Sequence, residues 1–161
     1  MHRLCSGLGS IEELFERLRA KAKRHGVLAQ IFDPKAVVSE RQLLMAYWLA
    51  RRAFIEKRNI ARTMETEILL RCAGTRMIDE AVRAVGAKSP SDFLLLTDAS
   101  GSALRELLTE TDSKERRIEF TMDESRVERL ARLYDIDIGL LRSYPLEDLV
   151  LERMALLEAE K

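Results

Sequence analysis

The run Phe93-Leu94-Leu95-Leu96, bounded by Asp92 and by Thr97-Asp98, constrains this chain most. An alternating strand needs cover on one face only, whereas a near-continuous apolar strand needs it on both. A sheet with helices packed on it is therefore expected, with a buried strand at 92–98. A second short apolar run at 27–32, set between Gly26 and Pro34, reads as another buried strand. Residues 2–5 fit a short edge strand. Residues 116–121 (RRIEFT) alternate as a strand does.

Helices are marked by their ends. Ser10 with Glu13, and Ser39 with Gln42, form capping-box pairs. Ile11, Leu14, Phe15, Leu18 and Ala22 follow helical spacing to a stop at Gly26. Leu43, Leu44, Tyr47, Ala50 and Phe54 continue the second helix to about residue 57. Thr63 starts a third, with Met64, Ile68 and Cys72 on one face, and Gly74 ends it. A fourth carries Ile78, Ala81, Val82 and Val85 to Gly86. Further helices are expected at 102–108, after the Asp123 cap, in a short turn at 138–141, and at about 146–159. With 161 residues, 47% of them hydrophobic, few glycines and no linker, one domain is expected. The class is α+β: a small, mostly antiparallel or mixed sheet packed with about seven helices.

Several kinds of chemistry lack their residues. His2 and His25 stand apart from any cysteine pair, so no metal site is expected. Gly7-Leu8-Gly9-Ser10 lacks the third glycine of a dinucleotide loop and the lysine of a P-loop. No serine or cysteine sits in a nucleophile elbow. Acidic pairs such as Glu12-Glu13 and Asp123-Glu124 fall in first helical turns, where capping accounts for them. No catalytic residues, cofactor or small-molecule substrate are expected. No window approaches a membrane span, and the first ten residues lack the apolar core of a signal peptide. Cys5 and Cys72 fit no redox spacing, so a reducing cytoplasm is the simplest location.

Charge is balanced overall, with 27 basic and 27 acidic residues, yet it is unevenly placed. Arg51, Arg52, Lys57, Arg58 and Arg62 face only Glu56 within twelve residues. From Pro145 onward the sign reverses: Glu147, Asp148, Glu152, Glu158 and Glu160 against Arg153 and Lys161. The last helix is apolar nearly all round. It is either central to a core or sandwiched between its own domain and a partner; Leu149, Val150, Arg153, Met154 and Leu157 are its candidate contact residues.

The turn between the third and fourth helices is the other candidate site. Gly74 suits a left-handed stop, and Thr75, Arg76, Met77 and Ile78 open the next helix, whose first N–H groups lack intrahelical partners. Arg71 and Arg76 would bracket that point, with Met77 and Ile78 as apolar platform. This is the makeup of a pocket for a nucleotide end. The residues alone leave open a plain core helix–turn–helix with surface arginines.

METEILLRCAGTRMIDEAVRAVGAK resembles the signature of the TPRKB-type, kinase-binding subunit of the KEOPS complex. That family shows an acidic-Ile-Leu run, a small-Gly-x-Arg-Gln-Ile turn, an Ala-Ile/Val helix and a glycine. Glu67, Ile68, Leu69, Gly74, Arg76, Ile78, Ala81, Val82 and Gly86 match it. Ala73 stands where the family usually has Ser, and Met77 where it usually has Gln. The likeness extends loosely to the preceding helix, the Leu-rich strand and the LERMALLEAEK ending. It implies a non-catalytic, archaeal-type subunit that binds the N-lobe of a small atypical kinase acting as an ATPase, and promotes that activity. It also implies binding of the tRNA 3′ CCA end, in an assembly that makes threonylcarbamoyladenosine beside the anticodon. On that footing Arg71, Gly74, Thr75, Arg76, Met77 and Ile78 would hold the RNA end. Arg51, Arg52, Lys57, Arg58 and Arg62 would follow the backbone, and the last helix would dock the kinase. A protein-only adaptor that docks through that helix, without RNA, is the alternative.

Overall fold

The apolar run becomes β3 (Phe93–Thr97), with Phe93, Leu94 and Leu95 fully buried and Leu96 nearly so. The computed structural model describes residues 1–159. Among these, four strands form one antiparallel sheet in the order β2-β3-β1-β4, with β1 His2–Ser6, β2 Ala29–Phe32 and β4 Ser113–Arg116. Seven α-helices accompany it: α1 Ile11–His25, α2 Glu40–Ile55, α3 Met64–Ala73, α4 Ile78–Val85, α5 Gly101–Glu110, α6 Glu124–Leu133 and α7 Leu146–Ala159. A short 3-10 helix spans Ile138–Arg142. The class is α+β, as expected. Among the described residues no helix is long and apolar enough to cross a membrane.

Contacts divide the chain into two compact units, Met1–Pro34 with Gly86–Ile118, and Lys35–Val85 with Glu119–Lys161. In the first, Leu4, Ile31, Phe93 and Leu95 on one sheet face meet Leu14, Leu18 and Ala22 of α1 and Leu107 of α5. Two strand expectations need correction. Residues 2–5 are not an edge: β1 lies between β3 and β4, paired on both sides. The alternating stretch 116–121 is not the strand either; β4 lies at 113–116 and the chain leaves the sheet at Arg117. The turn before it decides the register. Thr111 is buried, its hydroxyl donates to Leu107 O at 2.8 Å, and Gly7 N donates to Asp112 O at 3.0 Å. That clamp delivers Ser113 opposite Ser6. The charged side chains of β4 then suit an edge, where they discourage pairing with other chains.

The second unit is helical. α2 turns Leu43, Ala46, Ala50 and Ala53 inward, each wholly buried. The alanines, four and three apart, line one stripe that lets α3 pack close. Leu44, expected on this face, points outward. The Ser39 cap is present, accepting from Gln42 N at 3.3 Å. The Gln42 side chain reaches further back than a capping box requires. Its Oε1 accepts from Val38 N at 2.8 Å, and its Nε2 donates to Cys72 O at 3.0 Å and to the Tyr134 hydroxyl at 2.6 Å. That hydroxyl donates to Ala36 O at 2.7 Å. α7 packs against α2 and α3.

Candidate functional site

α3 stops at Gly74, in the left-handed region at φ 65°. The Gly74 N–H donates to Leu70 O and Arg71 O, and Thr75 N donates to Leu70 O at 3.2 Å, closing a Schellman-type cap. The Thr75 hydroxyl accepts from Met77 N at 3.2 Å and donates to Glu80 Oε2 at 2.7 Å. α4 therefore begins at Ile78, later than expected, and the N–H groups of Gly74, Thr75 and Met77 are spent inside the turn. Of the N–H groups expected to stand open at the start of the next helix, those of Thr75 and Met77 are therefore already paired, which corrects the sequence reading. Asp79 and Glu80 in the first turn of α4 further oppose an anion there.

What the turn does form is a groove of about 330 Å³, lined by residues 74–77 and by Arg153, Leu156 and Leu157 of α7. Gly74 makes it possible. A β-carbon there would sit 3.4 Å from Arg153 Cγ and would hold an unfavourable φ. Arg76, Met77 and Ile78 are exposed. Met77 at 59% and Leu156 at 55% exposure give the groove an apolar floor with a guanidinium from each side. Arg153 pairs with Asp135 at 3.9 Å, an acid that is itself largely exposed.

Arg71 does not bracket this point. Its guanidinium is 3% exposed and turned inward, with Nε and Nη2 donating to Glu67 Oε1 at 2.9 and 2.7 Å and Nη1 to Glu158. The wholly buried Glu67 also accepts through Oε2 from Ile60 N at 2.8 Å and Ala61 N at 2.6 Å. Two carboxylates thus compensate a desolvated cation, which explains why Arg71 is drawn inside.

The five basic residues of the middle segment are exposed on the end of α2 and the following connection. Arg51 lies over the Trp48 ring, 5.5 Å from its centroid. Arg52 donates to Glu56 at 2.8 Å, and Arg58 contacts both Glu56 and Glu158. The hydrogen bonds from Arg52 and then Arg58 hold the Glu56 carboxyl below its ordinary range, and Glu56 in turn raises Arg52. Lys57, at φ 56°, turns the chain out of α2, and Arg62 precedes the Thr63 cap of α3.

The last helix is also corrected. Val150 and Met154 are wholly buried, and Leu149 and Leu157 are 8% and 5% exposed. They belong to the protein's own interior; of the five candidate contacts Arg153 alone is well exposed, and it lines the groove, whose wall Leu157 also touches. The spacing Leu146, Leu149, Val150, Met154, Leu157 is one helical stripe, a signal for this arrangement that was present in the sequence. Two residues the sequence reading missed stand out: Leu156, on the groove, and Trp48, 59% exposed on α2. Glu160 and Lys161, counted in the charge of the tail, lie outside the described residues.

Comparison with known proteins supplies the family. The family model described as kinase binding protein CGI-121 matches residues 9–158, running through both units. The KEOPS complex subunit Cgi121 of Pyrococcus abyssi (strain GE5 / Orsay) is 31% identical over 90 residues, covering 55% of this chain and 52% of that protein. The chain thus spans about half the length of the curated relative it matches. The resemblance carried by residues 67–86 and this match agree. The chain belongs to the CGI-121 kinase binding protein family.

Proposed function

We propose that this chain is a non-catalytic, cytoplasmic subunit of a KEOPS-type assembly. In this reading it binds the small atypical kinase of that assembly, promotes its ATPase activity, and recruits tRNA through the 3′ CCA end for threonylcarbamoylation of an anticodon-loop adenosine. One observation supports the RNA part above others: the groove at Gly74 sets Arg76 and Arg153 around an apolar floor of Met77 and Leu156. Guanidiniums suit the phosphates of a single-stranded end, and a thioether and a leucine suit an unstacked base. Arg153 takes the place the sequence reading gave to Arg71. Arg51, Arg52, Lys57, Arg58 and Arg62 contribute attraction along the backbone. Arg52 and Arg58 share Glu56, so the group adds fewer effective phosphate contacts than five. Each contact contributes a salt slope of about 0.7–0.9.

The test is binding of one tRNA, intact and with its terminal CCA removed, at two salt concentrations. The expected result is a tenfold or greater loss (about 1.4 kcal/mol) on CCA removal. Arg76→Glu and Arg153→Glu should each produce a similar loss with folding and kinase binding intact. Equal affinity for both RNAs would leave the alternative, a protein-only adaptor. Equal loss of RNA and kinase binding in Arg76→Glu would refute the division of labour.

A further inference from the structure

The groove at Gly74 is rich in donors and short of acceptors. Among its lining side chains Arg76 and Arg153 can only donate, and Met77, Leu156 and Leu157 are apolar. The remaining polar group, the Thr75 hydroxyl, is committed: it accepts from Met77 N at 3.2 Å and donates to Glu80 Oε2 at 2.7 Å. That second bond pins the exposed Glu80 carboxylate beside the groove. Among the described residues its other oxygen, Oε1, has no hydrogen-bond partner. An ionised carboxylate only accepts, so what it can take there is a donor group of a ligand.

Charge decides which part of a ligand meets it. Asp79 and Glu80, both in the first turn of α4, repel phosphate, whereas the guanidiniums attract it. A nucleotide in the groove therefore turns its phosphate to the arginines and a base edge toward Glu80. Unpaired bases differ in what that edge presents. Cytosine and adenine carry an exocyclic amine, and uracil carries the acceptor O4 in place of the cytosine amine.

We propose that Glu80 is a specificity-determining residue of the groove, accepting from the exocyclic amine of a base at the RNA 3′ end and so preferring cytosine to uracil. This rests on the RNA reading above. Uracil sets O4 against the carboxylate, two acceptors with no hydrogen between them. A site built to bond an N–H rejects most strongly the analogue that lacks it. Thr75 already holds the carboxylate, so little ordering is left for the moment of binding.

The test compares tRNAs ending in CCA, UCA and CUA, and one with the tail removed. The unmodified chain is expected to prefer cytosine to uracil about tenfold at one of the two positions. Glu80→Gln places an amide there that both donates and accepts, and should bring that ratio close to one. Removing an acid strengthens binding of every tail, so the ratio and not the affinity is the readout. Asp79→Asn removes the same charge from the same turn without touching the bond to Thr75, and should keep the preference. If tail removal weakens binding while cytosine and uracil bind alike, Glu80 reads no base and the RNA reading stands. A preference that survives Glu80→Gln, or that Asp79→Asn abolishes equally, also overturns the proposal. If tail removal changes nothing, the RNA reading falls and the proposal with it.

Discussion

Arg71→Met tests whether the buried ion network holds the helical unit together. The substitution keeps most of the side-chain length and removes the charge. Glu67, wholly buried, keeps its hydrogen bonds from Ile60 N and Ala61 N but loses its cation. Removing one partner of a buried pair costs about 3–5 kcal/mol, and the two retained backbone donors place the expectation near the lower end, about 3 kcal/mol. For a chain of this size each kcal/mol lowers the melting midpoint by about 2–4 °C, so a fall of about 6–12 °C is expected. Urea and thermal unfolding followed by far-ultraviolet circular dichroism measure it. Adding Glu67→Gln neutralises the stranded carboxylate, so the double variant should regain roughly half of the loss or more. A loss under about 1 kcal/mol in the single variant, or a double variant worse than the single, would refute the account. Measured well below its midpoint, Arg71→Met should keep its tRNA affinity. A fall there would return Arg71 to the RNA site.

Gly74→Ala and Gly26→Ala should each cost about 1–2 kcal/mol, since both glycines hold φ above 60°. Only the methyl at 74 falls against Arg153, so only Gly74→Ala should weaken tRNA binding, and equal affinities for RNA would remove Arg153 from the site. Burial pushes the Cys72 thiol well above its ordinary range, while Cys5 is part-exposed. A thiol-reactive dye should therefore titrate Cys5 alone in the folded protein and both cysteines after denaturation; rapid reaction of both when folded would contradict the burial of Cys72.

What the sequence made legible is local. Ser10, Ser39, Thr63 and Asp123 accept from backbone N–H groups three residues on, because capping depends only on near neighbours. Gly26 and Gly74 end their helices for the same reason. The burial of β3 followed from its own side chains. Placement of β4 did not, because the clamp through Thr111 and Gly7 joins residues about a hundred positions apart. Arg71 was misread for a like reason: its second carboxylate, Glu158, lies 87 positions away, and nothing near Arg71 announces it. The groove was half legible, since the turn supplied Gly74, Arg76 and Met77 while Arg153 and Leu156 arrive from α7.

The amide of Gln42 ties the first turn of α2 to the Cys72 carbonyl in the last turn of α3 and to the Tyr134 hydroxyl. Sliding α3 by a single residue, about 1.5 Å, would break the bond to Cys72 and strand a buried amide N–H. The floor beneath Gly74 is thus a fixed stage. A visiting ligand has no backbone to organise and only the ends of Arg76, Met77, Arg153 and Leu156 to settle, at about 0.5–1.5 kcal/mol apiece. Recognition at such a place works by selection among arriving shapes, and the protein discriminates by what it declines to rearrange.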